Sequence, residues 1–272
     1  MKPLAGRAVL IAAALLTMLG CAALPKTERA GTAFGERTFM LAGAGVPAIV
    51  FEAGLGDGKD SWTRLFNELR DTSRVFAYDR AGYGGSPARD GARSGAQIVD
   101  ELRALLQAAG VRPPYVLVGH SLGGTFVELY ARLHPQEVAG VVLVESRHES
   151  FAQRCKQIAA PICEPPATLV SLMPGAAAQE YHAANVTMDQ VRSAGPFPNV
   201  PLVVLTGTRK LVEGPAFNKA WLETQQRLVR LSPQGRHEVC ESCGHYVQRD
   251  RPELVVRAVR EVVRASSASG RR

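Results

Sequence analysis

The residues best suited to covalent chemistry lie in one short run, Gly119-His120-Ser121-Leu122-Gly123-Gly124. Ser121 is the centre of a Gly-x-Ser-x-Gly pattern. The β-rich apolar run Tyr115–Val118 precedes it, and a helical pattern over Leu122–Leu133 follows. Strand, sharp turn and helix are the context that gives this short pattern meaning. A serine on such a turn is expected to have unfavourable φ and ψ. Glycines two positions before and after it remove side chains that would collide there. The hydroxyl is left exposed at the sheet's C-terminal edge, and the following helix N-terminus places positive dipole near a developing oxyanion. In water that hydroxyl is a poor nucleophile, so a base must take its proton. The chain offers six histidines for the role.

The positioning elements can be read from the hydrophobic pattern. Ala48–Phe51, Val75–Tyr78, Tyr115–Val118, Val138–Val144 and Leu202–Thr206 read as strands, with weaker candidates at Arg37–Leu41 and Arg236–Val239. These runs are continuous, as expected for strands covered on both faces. They alternate with helical patterns at Ile98–Ala109, Leu122–Leu133, Ala220–Leu231 and Leu254–Val263. Such alternation predicts an α/β class with a mostly parallel, doubly wound sheet. Residues 149–199 break the alternation with six prolines and two short helical stretches, Ala177–Ala184 and Thr187–Ser193. That is too long for a plain connection and reads as an inserted lid. The expected organisation is a signal segment over 1–21, a polar tether over 22–33, a core in two parts (34–148 and 200–265) around the lid, and a disordered tail over 266–272.

At 272 residues and 46% apolar, the chain has material for one sizeable core. The formal charge of +7 comes from scattered Lys and Arg, without the dense basic patch that nucleic-acid binding requires. Lys2 and Arg7 precede the apolar run Val9–Leu19, which is short for a membrane span. Met18-Leu19-Gly20-Cys21 resembles a bacterial lipobox, which implies lipidation at Cys21, a membrane tether and export as a cell-envelope lipoprotein, with a secreted or periplasmic protein as the alternative. Cys155, Cys163, Cys240 and Cys243 remain, an even number suited to an oxidising compartment. Three pairings are open, and sequence does not choose among them. Cys155–Cys163 closes a small loop and is the first expectation. Cys240–Cys243 reads as a structural bridge before His245, since no second ligand pair suggests zinc.

Four motifs in order carry a family resemblance. They are the Gly119–Gly124 turn, Phe51-Glu52-Ala53-Gly54-Leu55-Gly56, Asp79-Arg80-Ala81-Gly82-Tyr83-Gly84-Gly85-Ser86, and Gly244-His245. Together they resemble the α/β-hydrolase superfamily from about Phe34 to Val263, which implies the α/β-hydrolase fold with Ser121 as nucleophile. His245 is then the expected base, in a loop after the last weak strand. His120 points away along the turn, and His237 falls within a strand. Many members carry their acid after the seventh strand, where this chain has Lys210. Others carry it after the sixth, where this chain has Glu145, the expected acid, with Glu149 and Glu213 in reserve. The resemblance places the oxyanion donors at the backbone N–H of Leu122 and Leu55. Ala53 stands where many relatives have histidine, a change of little consequence because the donors are main-chain amides. Asp79 and Arg80 are expected to hold their turn by hydrogen bonds and salt bridges.

The implied activity is hydrolysis of a small carboxylic ester through an acyl-enzyme, without cofactor or metal. A serine nucleophile argues against haloalkane dehalogenase and epoxide hydrolase chemistry, which use Asp. Amide, thioester or lactone hydrolysis, cofactor-free haloperoxidation, and a non-catalytic ligand-binding role are the alternatives on the same fold.

Overall fold

The structure is a computed structural model that describes residues 25–91, 93–158, 163, 167–209 and 214–269. The expected signal segment with Cys21, the position Lys210 and the expected reserve acid Glu213 lie outside these residues. Eight strands form one sheet: β1 (Glu28–Thr32), β2 (Gly35–Ala42), β3 (Ala48–Glu52), β4 (Val75–Tyr78), β5 (Tyr115–His120), β6 (Val138–Val144), β7 (Leu202–Gly207) and β8 (Gly235–Cys240). Their order is β1-β2-β4-β3-β5-β6-β7-β8. β2 is antiparallel to both β1 and β4, and all other pairs are parallel.

Ten helices accompany the strands among the described residues. They are α1 (Thr63–Leu69), α2 (Gly95–Ala108), α3 (Leu122–Leu133), α4 (Phe151–Gln157), α5 (Ala167–Ser171), α6 (Gly175–His182), α7 (Ala184–Ser193), α8 (Gly214–Val229), α9 (Val247–Asp250) and α10 (Pro252–Ser269). Alternate strand residues enter opposite cores, because successive side chains point to opposite faces. Val116, Val118, Val142, Val144, Val203 and Leu205 pack with Leu65 of α1 and Val255 and Val259 of α10. Leu117, Val141, Leu143 and Val204 pack with Leu102 and Leu105 of α2, Val127 of α3 and Leu228 of α8. Two covered faces explain why these strands read as unbroken apolar runs.

The chain winds from β3 outward to β4, then returns to place β5 on the other side of β3. Such a switch point leaves a crevice beyond the strand C-termini, where open α/β sheets bind ligands. The turn after β3 and the turn carrying Ser121 flank it.

Three expectations are corrected. Residues 28–32, expected within a polar tether, form edge strand β1, which pairs with β2 over its whole length. Its sequence Glu-Arg-Ala-Gly-Thr has no apolar run because one face of the strand is half-buried and the other is exposed. The tail expected from residue 266 stays helical to Ser269, and Ser266 and Ser267 hydroxyls donate to the Val263 carbonyl within α10. α8 begins at Gly214, earlier than the expected Ala220. The segment expected as a lid holds α4 to α7 between β6 and β7.

Candidate active site

Ser121 has φ 54° and ψ −122°, a left-handed conformation that a side chain enters only when its surroundings enforce it. Its N–H donates to Val144 O of β6, and its carbonyl accepts from the N–H of Gly124 and Arg147. Packing completes the constraint. A Cβ on Gly123 would lie 2.3 Å from the Ala53 carbonyl, so only glycine lets α3 start directly against the end of β3.

The Ser121 hydroxyl is 3.0 Å from His245 Nε2. On the other side of the ring, Nδ1–H donates to Glu145 Oε2 at 3.2 Å. Glu145 directly follows β6 with φ 48° and is fully buried, held by its N–H to Leu205 O. Its other oxygen, Oε1, accepts from the Gly207 N–H at 2.8 Å and from Trp221 Nε1–H at 3.1 Å. A buried carboxylate needs such partners to offset desolvation. The end of β7 therefore supplies an amide that fixes the Glu145 carboxylate.

His245 lies between the Cys240–Cys243 bridge and α9. The Cys243 carbonyl accepts from the Arg209 N–H, which ties the loop to the end of β7. Cys155 is paired with Cys163 in the insertion. His120, expected to point away, nonetheless reaches His245: its Nε2–H donates to the His245 carbonyl at 2.8 Å, and the rings sit 4.7 Å apart. Sequence reading missed both this contact and Trp221, because each joins residues far apart in the chain. His237 instead meets Thr206 Oγ1, and burial holds its pKa below the usual value. Glu149 pairs with His148 at 2.7 Å.

The Ala53-Gly54-Leu55 turn lies against Ser121: a Cβ on Gly54 would be 3.4 Å from Ser121 Cβ. Leu55 packs with Leu122, Phe126, Ile98 and Met188. Among the described residues, the amides of Leu55 and Leu122 donate to no protein acceptor. The turn is held from behind. Arg80, fully buried, donates to the carbonyls of Ala53 (2.7 Å) and Gly54 (2.9 Å) and to Glu52 Oε1 (2.6 Å). Asp79 accepts from the Lys59 N–H and Nζ and from Thr38 Oγ1. Asp79 also accepts from the Gly85 N–H within the turn after β4, as expected, whereas Arg80, expected to hold that same turn, instead holds the turn after β3.

A cavity of about 820 Å³ borders this turn through Gly56, Asp57 and Gly58 and borders α9 through Gln248 and Arg249. A second cavity, of about 670 Å³, is lined by Tyr115, the first residue of β5, and so lies at the opposite sheet edge from Ser121. No group of side chains suited to a metal ion occurs among the described residues.

Topology and site together define an α/β-hydrolase fold, and comparison with known proteins agrees. A family model described as the alpha/beta hydrolase fold matches residues 47–161. The uncharacterized protein YqjL of Bacillus subtilis is 29% identical over 228 residues, covering 79% of this chain and 82% of its own. An esterase from Thermogutta terrifontis superposes with TM-score 0.64 at 21% identity, covering 89% of this chain and 99% of that one. The haloalkane dehalogenase DatA from Agrobacterium tumefaciens superposes equally well, with TM-score 0.63 at 18% identity over 89% of this chain and 97% of that one. These findings show the α/β-hydrolase fold. An esterase and a dehalogenase at equal likeness leave the chemistry to the site residues.

Proposed function

We propose that this chain is a serine hydrolase that cleaves carboxylic esters through an acyl-enzyme. The observation that carries the reading is the line of contacts from Ser121 Oγ to His245 Nε2 (3.0 Å) and from Nδ1 to Glu145 (3.2 Å). His245, its Nδ1–H held by Glu145, takes the serine proton on Nε2 as Oγ attacks the ester carbonyl. Glu145 keeps that tautomer and stabilises the imidazolium that forms. The Leu55 and Leu122 amides receive the oxyanion. Collapse of the tetrahedral adduct breaks the C–O bond, and the imidazolium gives its proton to the leaving alcohol. Water, deprotonated by the same histidine, then attacks the acyl-enzyme and releases the acid. A serine in this position does not support the dehalogenase chemistry of the structural neighbour.

The test is hydrolysis of p-nitrophenyl acetate, butyrate and octanoate by the parent and by Ser121→Ala, beside amide, thioester and lactone panels. Ester turnover that disappears in the variant is the expected result. Equal turnover in both removes Ser121 from the mechanism.

We also propose that the protein is exported and tethered through a lipidated Cys21. Two disulfides support an oxidising location. No described helix is long and apolar enough to cross a membrane. Labelled fatty acid incorporated by the parent but not by Cys21→Ser is the expected outcome, and no incorporation by the parent refutes the anchor.

A further inference from the structure

Arg80 spends all its hydrogen-bonding capacity on three elements. A guanidinium has five N–H donors in a rigid planar fork. Here Nε donates to Glu180 Oε1 (2.9 Å), Nη1 to Glu52 Oε1 (2.6 Å) and Ala53 O (2.7 Å), and Nη2 to Gly54 O (2.9 Å) and Glu180 Oε2 (2.8 Å). Glu180 is equally committed: Oε1 also accepts from Arg93 Nη2 (3.1 Å), and Oε2 also accepts from Tyr83 Oη (2.9 Å). Glu180 belongs to α6 of the insertion and is fully buried, so the insertion sends one charge into the core where the oxyanion turn is fixed.

The Gly54 carbonyl and the Leu55 N–H belong to one peptide plane, and that bond is trans. In a trans peptide the C=O and N–H point in opposite directions. An arginine that holds the Gly54 oxygen on one side therefore fixes the Leu55 N–H pointing to the other side, in a turn whose Gly54 Cβ position lies 3.4 Å from Ser121 Cβ. Hydrogen bonds in chains also polarise one another, and a charged donor on the carbonyl makes the N–H of the same amide a stronger donor. Donors to an oxyanion act mainly through such preorganisation.

We infer that Arg80 is a positioning residue for the oxyanion site, and that Glu180 holds Arg80 in register, so that the seating of the inserted helices sets the donor geometry for catalysis. The inference rests on the acyl-transfer reading above. Arg80 does not touch substrate. Lysine at this position keeps the charge but has no planar fork, and it cannot grip Glu180 and the Gly54 carbonyl together.

The experiment uses the full chain, with p-nitrophenyl butyrate as substrate and phenylboronic acid as a tetrahedral adduct former. Parent, Arg80→Lys, Glu180→Gln and Ser121→Ala are compared, with thermal melts to show which variants fold. For Arg80→Lys the expected loss is about 10–100-fold in kcat, with KM within about threefold of the parent. Phenylboronate affinity falls in step with kcat, while the midpoint of the kcat/KM pH profile stays in place, because the oxyanion donors and not the base are displaced. A general loss of structure would not produce that split. Glu180→Gln keeps one acceptor for Arg80, and its loss is in the same direction but smaller, about 3–10-fold.

A folded Arg80→Lys with kcat and phenylboronate affinity within twofold of the parent overturns the inference, as does a kcat loss accompanied by a shifted pH midpoint. If Arg80→Lys does not fold, Glu180→Gln decides, and unchanged kcat with unchanged phenylboronate affinity overturns the inference. An active Ser121→Ala would overturn the acyl-transfer reading and the inference with it. That result is distinct from an inactive Ser121→Ala beside an unperturbed Arg80→Lys, which overturns the inference alone.

Discussion

Replacing Glu145 by glutamine changes one atom, and the structure dictates how that atom must sit. Oε1 of Glu145 accepts from two fixed donors, the Gly207 N–H and Trp221 Nε1–H. The amide oxygen of a glutamine must take that position, because an NH2 group there would face two donors. The NH2 is then forced to the Oε2 position, against His245 Nδ1. It donates to Nδ1, so the ring proton moves to Nε2 and points at the Ser121 hydroxyl. The nitrogen that should accept the serine proton is already protonated. A carboxylate-to-amide change that traps the wrong tautomer in a serine triad lowers kcat by about 10⁴, a barrier increase of about 5 kcal/mol. Stability should change little by comparison, by about 1 kcal/mol, because both donors to Oε1 keep an acceptor. The assay is steady-state hydrolysis of p-nitrophenyl butyrate by parent and Glu145→Gln, with urea unfolding of each. A folded variant whose kcat stays within tenfold of the parent refutes the assignment of Glu145 as the acid.

The remaining predictions use the same contacts. Trp221→Phe keeps an aromatic ring but removes one of two donors to Glu145 Oε1. It should lower kcat by about 3–10-fold with KM unchanged, and unchanged kcat shows that Gly207 alone fixes the carboxylate. Glu101 receives Arg37, Arg89 and Arg93; burial raises its pKa, but the Arg93 charge and the arginine hydrogen bonds outweigh it and hold the carboxyl below the usual value of 4.5. A depressed carboxylate stabilises the fold above its unfolded pKa, and that contribution is lost as pH falls through its folded pKa. Urea unfolding of Glu101→Gln should therefore show lower stability at pH 7 and a shallower decline toward acid. A slope equal to the parent's removes Glu101 from the acid response. Replacing both Cys240 and Cys243 by serine reopens a loop of a few residues and should cost about 2 kcal/mol. It should also lower kcat, because the Cys243 carbonyl ties the loop carrying His245 to Arg209. Replacing both Cys155 and Cys163 should cost a similar 2–3 kcal/mol with less effect on kcat, and the reverse ranking in kcat contradicts this account.

Central strands were legible because both their faces are buried. β4 and β6 run from Val75 to Tyr78 and from Val138 to Val144, the limits their apolar runs suggest. β1 was not legible, since an edge strand with one covered side needs no apolar run and takes its stability from the ladder to β2. The serine turn announced itself because close approach demands glycine, as at Gly123. Glu145 could be proposed because it directly follows the sixth apolar strand, where the family resemblance places an acid. What fixes it could not be read: Trp221 lies on a helix of unremarkable pattern, and its N–H reaches the acid only once α8 packs beside β7. Arg80 was readable as a turn residue, but its partner Glu180 lies 100 positions away in the least regular segment. Long-range ion pairs leave no periodic trace.

The central claim is that Ser121 forms the covalent bond to substrate. The most direct measurement is intact and peptide mass spectrometry after treatment with a fluorophosphonate ester, with residual esterase activity followed in parallel. One phosphonyl group on the peptide containing Ser121, gained at the rate at which activity is lost, and no label on Ser121→Ala, is the result this account predicts. Label on another residue, or full activity in a protein labelled at Ser121, would contradict it.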